Sequence, residues 1–252
     1  MGMNLKFDGG DSEYEVVPVG EHKAICYRVV DAGTAEEDYQ GEVSNKHRIF
    51  LFWELPELKM QDGRPMSIFA GYTASLRENS NLYKISMAWM NRGFTEEEKQ
   101  GFDPSIFVGK GCKLSVTQNA NGNAKVNAVL TAPSAFDNNE QLKNLPTTND
   151  QAVFDLEDYC KEFSGQSDEA SKRACDILET LPRFIQHRIA GCDEVGRELI
   201  PPCLEVQAAL KRGETSGGKQ SGMSMTQAEV LAAGKKPSEP LPPLAEDDDI
   251  PF

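Results

Sequence analysis

The sequence predicts a mainly β fold with helical additions, for three reasons. Between residues 16 and 132, short stretches rich in aromatic and β-branched side chains alternate with turn signals. One segment inside that region, residues 81–91, has the apolar spacing of a helix instead. From Thr148 the spacing is helical again, and after Gly213 the chain consists mostly of Gly, Ser, Lys, Pro and Glu. The sheet should therefore lie in the first 132 residues, with most of the helices after it.

Five strands account for the alternating pattern. The last two flank Asn121-Gly122, which is the strongest short signal of a β-hairpin. The third strand follows a turn tetrad, Asp62-Gly63-Arg64-Pro65. The five predicted strands are residues 21–30, 46–55, 66–73, 112–118 and 123–130.

The segment between the third and fourth strands is predicted to be helical. Leu82, Ile85 and Trp89 recur at the spacing of one helix face. Thr95 and Glu98 form a capping box, which predicts that a second, short helix begins there. The sheet should therefore carry a helical insertion.

Three strands, a helical insertion and a two-stranded hairpin are the layout of an OB-fold, a five-stranded Greek-key barrel. Another small barrel, or a sandwich with a helical excursion, has the same order of elements and remains an alternative. We expect the barrel at residues 14–132, a helical annex at 148–212, a flexible linker at 213–245 and a disordered acidic tip at 246–252.

The annex is expected to contain three or four short helices. The first would begin at Asn149 and include Phe154, the second would begin at Ser167 or Asp168, and a third would follow Pro182. So few short helices bury little apolar surface by themselves. We therefore expect the annex to pack on the barrel or to form a subunit contact.

The charge of the chain limits how it could bind nucleic acid. Its formal net charge is −14, of which residues 1–131 contribute −4 with 14 basic and 18 acidic side chains. A protein that coats nucleic acid by bulk charge should be basic. Any nucleic-acid site in this chain must therefore be a local basic strip.

No residue pattern indicates an enzyme, a cofactor or a metal site. The six cysteines include no Cys-x-x-Cys pair and are expected to remain reduced thiols. Neither a Gly-x-Ser-x-Gly elbow nor a Cys with a partner His is recognisable. Residues 213–219 match the start of a phosphate-binding loop, but Gln220 replaces the required Ser or Thr. A secretory signal and a membrane-spanning run are not apparent, so we expect a cytoplasmic protein that does not enter a membrane.

The second predicted strand has the composition of a platform for single-stranded nucleic acid. Alternation puts residues 49, 51, 53 and 55 on a core face, and Arg48, Phe50, Phe52 and Glu54 on the opposite face. Rings beside a cation suit sequence-tolerant base stacking. The alternative is that helices of the annex cover Phe50 and Phe52. The candidate DNA contacts are Lys23, Arg28, Arg48, Phe50, Phe52, Phe69, Tyr72, Lys113 and Lys125.

The last seven residues predict a partner-binding peptide. Acidic residues are followed there by two apolar anchors and a carboxylate, which fit a pocket lined by Arg or Lys with an apolar floor. A purely solubilising acidic tail is the alternative, although it would not need the apolar end. The candidate partner contacts are Asp247, Asp248, Asp249, Ile250, Pro251 and Phe252.

Asp-Asp-Asp-Ile-Pro-Phe at residues 247–252 resembles the tail of bacterial single-stranded DNA-binding proteins. The body, through 17–20, 52–56, 62–65 and 93–98, is similar to OB-fold single-strand-binding proteins of bacteriophages and prophages. The resemblance implies a non-enzymatic protein that coats single-stranded DNA in replication, recombination or repair. It also implies a tail that recruits a helicase, exonuclease, primosome or polymerase protein of the host or phage.

Two points remain open from the sequence. The inserted helices, the annex and the acidic body differ from the cellular proteins of this family, so the oligomeric state is not determined and a homodimer is one arrangement. The alternative function is an adaptor that captures or diverts host DNA-metabolism proteins with its tail and binds no DNA itself.

Overall fold

The computed structural model describes residues 15–195, except residues 40, 133–143, 163 and 165. Its strands are β1 (Gly20–Tyr39), β2 (Glu42–Lys59), β3 (Pro65–Thr73), β4 (Gly111–Gln118), β5 (Ala124–Leu130) and β6 (Ala152–Phe154). Its α-helices are α1 (Asn81–Met90), α2 (Glu96–Gln100), α3 (Leu156–Lys161), α4 (Glu169–Glu179) and α5 (Arg183–Ala190), with a 3₁₀ turn at Pro104–Phe107.

The protein is mainly β, built on an antiparallel sheet with a few helices. The strands follow the order β3-β2-β1-β4-β5, and β6 pairs with β1 in parallel. The first part of β1, from Gly20 to Ile25, pairs with β4, and the part from Ile25 to Tyr39 pairs with β2. β3 and β5, the two ends of this order, also lie close to each other.

One face of the sheet encloses the first core. Leu51, Trp53 and Leu55 of β2 are completely buried there, which confirms the inward face predicted from alternation. Trp89 of α1 joins this core, stacks on Phe107 with ring centroids 4.2 Å apart, and donates a 2.8 Å hydrogen bond from Nε1 to the carbonyl of Gly111. The inserted helix therefore seals the core between the third and fourth strands.

The opposite face of β1 and β2 carries a second core, which the annex covers. Tyr27 and Phe52 from the sheet pack there with Phe154, Ile185 and Ile189 of the annex. The parallel pairing of β6 with β1 adds backbone hydrogen bonds between the two parts. The annex helices therefore pack on the sheet, which is one of the two arrangements that we expected, the other being a subunit contact.

Glu54 attaches the start of the annex to the sheet. This side chain was expected on the outer face, but only 3% of its surface is exposed. Its carboxylate accepts hydrogen bonds from the backbone N–H groups of Thr148 and Asn149 and from Asn149 Nδ2, at 2.6–3.0 Å. A buried carboxylate needs several donors, and this turn supplies them.

The first two strands are longer than the sequence predicts. We expected the first strand to end near Gly33 and the second to begin at Lys46, whereas β1 and β2 pair as far as Tyr39 and Glu42. Gly33 has φ of 64° and lies at a register shift between Asp31 and Thr34. The glycine therefore forms a bulge inside a long hairpin, and not its turn.

The annex differs from the prediction at its first element. Residues 152–154 were expected in a helix but form β6, and α3 begins after the N-cap Asp155. β4 pairs with β1 only up to Ile25, so the edge of β1 at Arg28–Val30 is open to β6. Tertiary pairing therefore overrides the helical spacing there.

The remaining predictions for the annex and the membrane have different outcomes. α4 is capped by Asp168, and α5 follows Pro182 and ends at Gly191, as predicted. The fourth helix of the annex is expected at residues 204–210, after Pro201-Pro202, and lies outside the described residues, as do the linker at 213–245 and the tip at 246–252. Within the part of the chain that is described, no helix has both the length and the hydropathy to cross a bilayer.

Candidate nucleic-acid interface

A broad groove of about 1210 Å³ lies along β3 and β5. α1 and the β4–β5 turn contribute to its lining at residues 81–88 and 119–123, and the annex contributes Thr180 and Pro182. The groove therefore touches the sheet, the inserted helix and the annex.

The lining of the groove is basic although the protein is acidic. Its charged residues are Arg28, Lys84, Lys125 and a single acid, Glu15. Lys84 and Lys125 are exposed, and neither forms an ion pair within the described residues. Glu15 is engaged by the backbone N–H of Gln61 at 2.9 Å. This is the local basic strip that a nucleic-acid site on this chain requires.

Aromatic side chains form a layer beside the groove. Phe69, on the outer face of β3, is 39% exposed and lies on the groove lining. Its ring centroid is 5.2 Å from that of Phe52 and 5.6 Å from that of Phe184 in α5. The ring centroids of Phe50 and Phe184 are 5.9 Å apart. The ring of Phe50 also covers Gly71, since a Cβ added to this glycine would lie 2.7 Å from Cε1 of Phe50.

Two of the predicted aromatic contacts, Phe52 and Tyr72, belong to the groove lining but are largely buried. Phe52 is only 5% exposed and belongs to the second core, so the annex covers it. Tyr72 is 9% exposed and belongs to the first core, where burial raises its pKa. β3 alternates like β2, so Tyr72 points to the face opposite Phe69. Phe50 is half-buried, and Phe69 is the exposed ring of the predicted set.

The predicted basic residues divide into two groups. Arg28 and Lys125 lie on the groove. Lys23 pairs with Glu57 at 2.8 Å and Lys113 pairs with Glu21 at 2.7 Å, so an acidic neighbour balances each of these cations. Solvent and salt screen surface ion pairs of this kind.

Arg48 has a less exposed ion pair than Lys23 and Lys113. Its guanidinium binds both carboxylate oxygens of Glu37, and Arg188 of the annex donates to the same carboxylate at 2.8 Å. The hydrogen bond from Arg48 is the largest cause of the lowered pKa of Glu37. Arg48 therefore has a structural partner on β1 and is not directed at the groove.

Arg28 connects the groove to the annex. Its Nη1 donates a 2.8 Å hydrogen bond to Oγ1 of Thr180, and its guanidinium carbon lies 5.7 Å from the ring centroid of Tyr27. Its Nε is buried and has no hydrogen-bond partner among the described residues. The guanidinium is thus held between the groove lining and the annex.

Two residues of this site were not predicted from the sequence. Lys84 lies on the polar side of α1, and its spacing from Asn81 and Ala88 could have indicated that they share a face. Phe184 reaches the aromatic layer only because α5 packs on the sheet, so no local pattern marks it.

The described residues do not suggest metal or thiol chemistry. They contain no group of three or more His, Cys, Asp or Glu side chains arranged to hold a metal ion. Cys26, Cys112 and Cys192 are buried thiols, and burial raises the pKa of Cys26 and of Cys192 to about 12. At neutral pH these groups are protonated and weakly nucleophilic.

Comparisons of this chain with protein-family models, curated proteins and solved structures yield no significant match. Function is therefore inferred from the groove and from the residue patterns of the sequence.

Proposed function

We propose that this protein binds single-stranded DNA without sequence specificity through the groove between β3 and β5. One observation carries the proposal: three cations and one acid line the groove of a chain whose net charge is −14. Concentrating positive charge at one place in an acidic protein favours a polyanionic ligand at that place.

The aromatic layer favours a single strand over a duplex. An unpaired base can stack on a ring such as that of Phe69, and such stacking is insensitive to sequence because every base has a π-face. In a duplex the bases are already stacked and their faces are inaccessible.

The β-rich body of the protein is, in this proposal, an OB-fold barrel. The order β3-β2-β1-β4-β5, the close approach of β3 to β5, and the position of α1 between the third and fourth strands support it. OB-folds bind oligonucleotides on their second and third strands and in adjoining loops. The third strand of this protein is β3, and it carries Phe69.

The tail at residues 246–252 has a second role in the proposal. It recruits replication, recombination or repair proteins of a bacterial host or a phage through its acidic and apolar residues. The resemblance of Asp-Asp-Asp-Ile-Pro-Phe to the tails of bacterial single-stranded DNA-binding proteins supports this role. The same peptide also supports the alternative, an adaptor that binds such partners but no DNA.

A titration with labelled oligo(dT) tests the proposal. We expect binding that is much weaker to duplex of the same length and that decreases steeply as salt increases, because bound cations release counterions. Lys84→Ala and Lys125→Ala should each lower the affinity and reduce the slope of log K against log[salt] by about 0.7.

Lys172→Ala is the matched control. Lys172 is an exposed lysine of α4 that is not part of the groove lining, so this variant should bind as the unmodified protein does. Equal affinity for duplex and single strand would contradict the proposal. Absence of oligo(dT) binding at low salt, with capture of a tail-binding host protein retained, would favour the adaptor.

A further inference from the structure

We infer that the annex contributes directly to the DNA-binding surface, with Phe184 of α5 as a base-stacking residue. This inference rests on the proposed function and assigns a role to a segment whose sequence indicates none. The composite surface comprises Phe69 on β3 and Thr180, Pro182 and Phe184 of the annex.

The annex is held in a fixed position beside the groove. β6 forms a parallel ladder with β1 from Arg28 to Val30. At the other end, Arg188 donates hydrogen bonds to Glu37 and to the carbonyl of Lys46 at 2.8 and 2.6 Å. Arg188 is itself a residue of α5, so this helix, including its first turn, has a defined place on the sheet.

The first turn of α5 extends the aromatic layer across the boundary between sheet and annex. The rings of Phe184 and Phe69 are inclined by only 31°, and both side chains are partly exposed. Phe52 and Tyr27 lie beneath them in the second core. Two accessible rings that rest on buried aromatic side chains form a rigid platform. Such a platform loses little conformational entropy when a nucleobase stacks on it.

Polar groups beside this platform suit a phosphate backbone. Thr180 and Pro182, immediately before α5, line the same groove as Arg28, Lys84 and Lys125. Arg28 reaches Thr180 through its Nη1 and has a buried Nε with no partner among the residues described. A strand that follows the groove past Arg28 therefore meets the annex next, with its bases near Phe69 and Phe184.

The competing explanation is that Phe184 only holds the annex on the sheet. Phe184→Leu separates the two, because leucine retains most of the apolar packing and removes the π-face. We expect the oligo(dT) affinity of Phe184→Leu to decrease at least about fivefold, the lower end of one stacking contact. Val153→Ala, at a 40%-exposed apolar residue of β6 outside the groove lining, should not change the affinity.

A photocrosslinking experiment tests the same contact in the unmodified protein. Oligo(dT) containing 5-iodouracil is bound, irradiated and digested with trypsin, which releases residues 184–188 as one peptide. Crosslinking to this peptide supports the inference. Crosslinks confined to peptides of the sheet, or Phe184→Leu affinity within twofold of the unmodified protein, would overturn it while leaving the proposed function intact. If the unmodified protein does not bind oligo(dT), the proposed function itself fails.

Discussion

At the scale of single residues, burial separates side chains that the sequence grouped together. Phe52 and Phe69 both appeared as DNA contacts, yet one is 5% and the other 39% exposed. A ring can stack on a base only if its face is accessible, whereas a buried ring stabilises the fold by packing. The two residues therefore have different consequences when they are truncated.

We predict that Phe69→Ala weakens oligo(dT) binding by about 1–3 kcal/mol, the range for one stacked base, with little change in the thermal midpoint. Phe52→Ala should instead lower the free energy of unfolding by about 3–5 kcal/mol, the usual cost of emptying a buried phenylalanine site. Fluorescence anisotropy and thermal denaturation measure the two effects. A stable Phe52→Ala variant with reduced binding would contradict this assignment.

At the scale of elements, the long hairpin of β1 and β2 is held by the end of the annex. Glu194 accepts hydrogen bonds from the backbone N–H and the Oγ1 of Thr34 at 2.8 and 2.7 Å. His47 of β2 lies between two carboxylates, with Nε2 2.6 Å from Asp31 and Nδ1 3.9 Å from Glu194. The annex and the hairpin therefore share a charged contact that includes a histidine.

This contact predicts that stability depends on pH near neutrality. The hydrogen bond to Asp31 is the largest cause of the raised pKa of His47, with further contributions from the charges of Asp31 and Glu194 and opposition from burial and Arg188. Because the folded pKa is above the unfolded one, the stabilisation is complete below about pH 6.5 and is lost as pH rises through the folded pKa.

Denaturant titrations between pH 6 and pH 8 measure this effect. The unfolding free energy should decline over that range in the unmodified protein, and His47→Gln should reduce the decline. His22→Gln is the control, since His22 is only partly buried and its ring nitrogen is bonded to the carbonyl of Pro18 at 2.7 Å, away from the annex. An unchanged pH profile in His47→Gln would show that the contact does not contribute.

At the scale of the whole molecule, a basic groove and an acidic tail peptide belong to one chain. The groove lining contains three cations, whereas residues 246–249 are all acidic. Opposite charges joined by a chain segment interact at a high effective concentration. In this proposal the tail therefore competes with DNA for the groove as well as recruiting partners.

We predict that removal of residues 247–252 leaves the thermal midpoint unchanged, tightens DNA binding modestly at low salt, and abolishes capture of a host helicase or exonuclease. The gain in affinity should disappear at high salt because it is electrostatic. Phe252→Ala should lose partner capture with little effect on DNA. If truncation changes neither DNA affinity nor capture, the tail is only an acidic solubiliser.

Local patterns in the sequence predict the five strands of the order β3-β2-β1-β4-β5 and the inward face of β2. Alternation in β2 and the Asn121-Gly122 hairpin signal predict strands that the structure contains, because a two-residue period and turn chemistry are local properties. The capping residues Thr95 and Asp168 likewise begin α2 and α4. These features need only neighbours in the chain.

The groove and the position of the annex depend on contacts between distant parts of the chain. Residues 152–154 form a strand because the edge of β1 is open, and Phe52 is buried because the annex packs over it. Arg28, Lys84 and Lys125 come together from β1, α1 and β5, which are far apart in the chain. Alternation assigns a side chain to a face of a strand, but what covers that face depends on distant segments. The lining of the groove is therefore complete only when the sheet and the annex pack together.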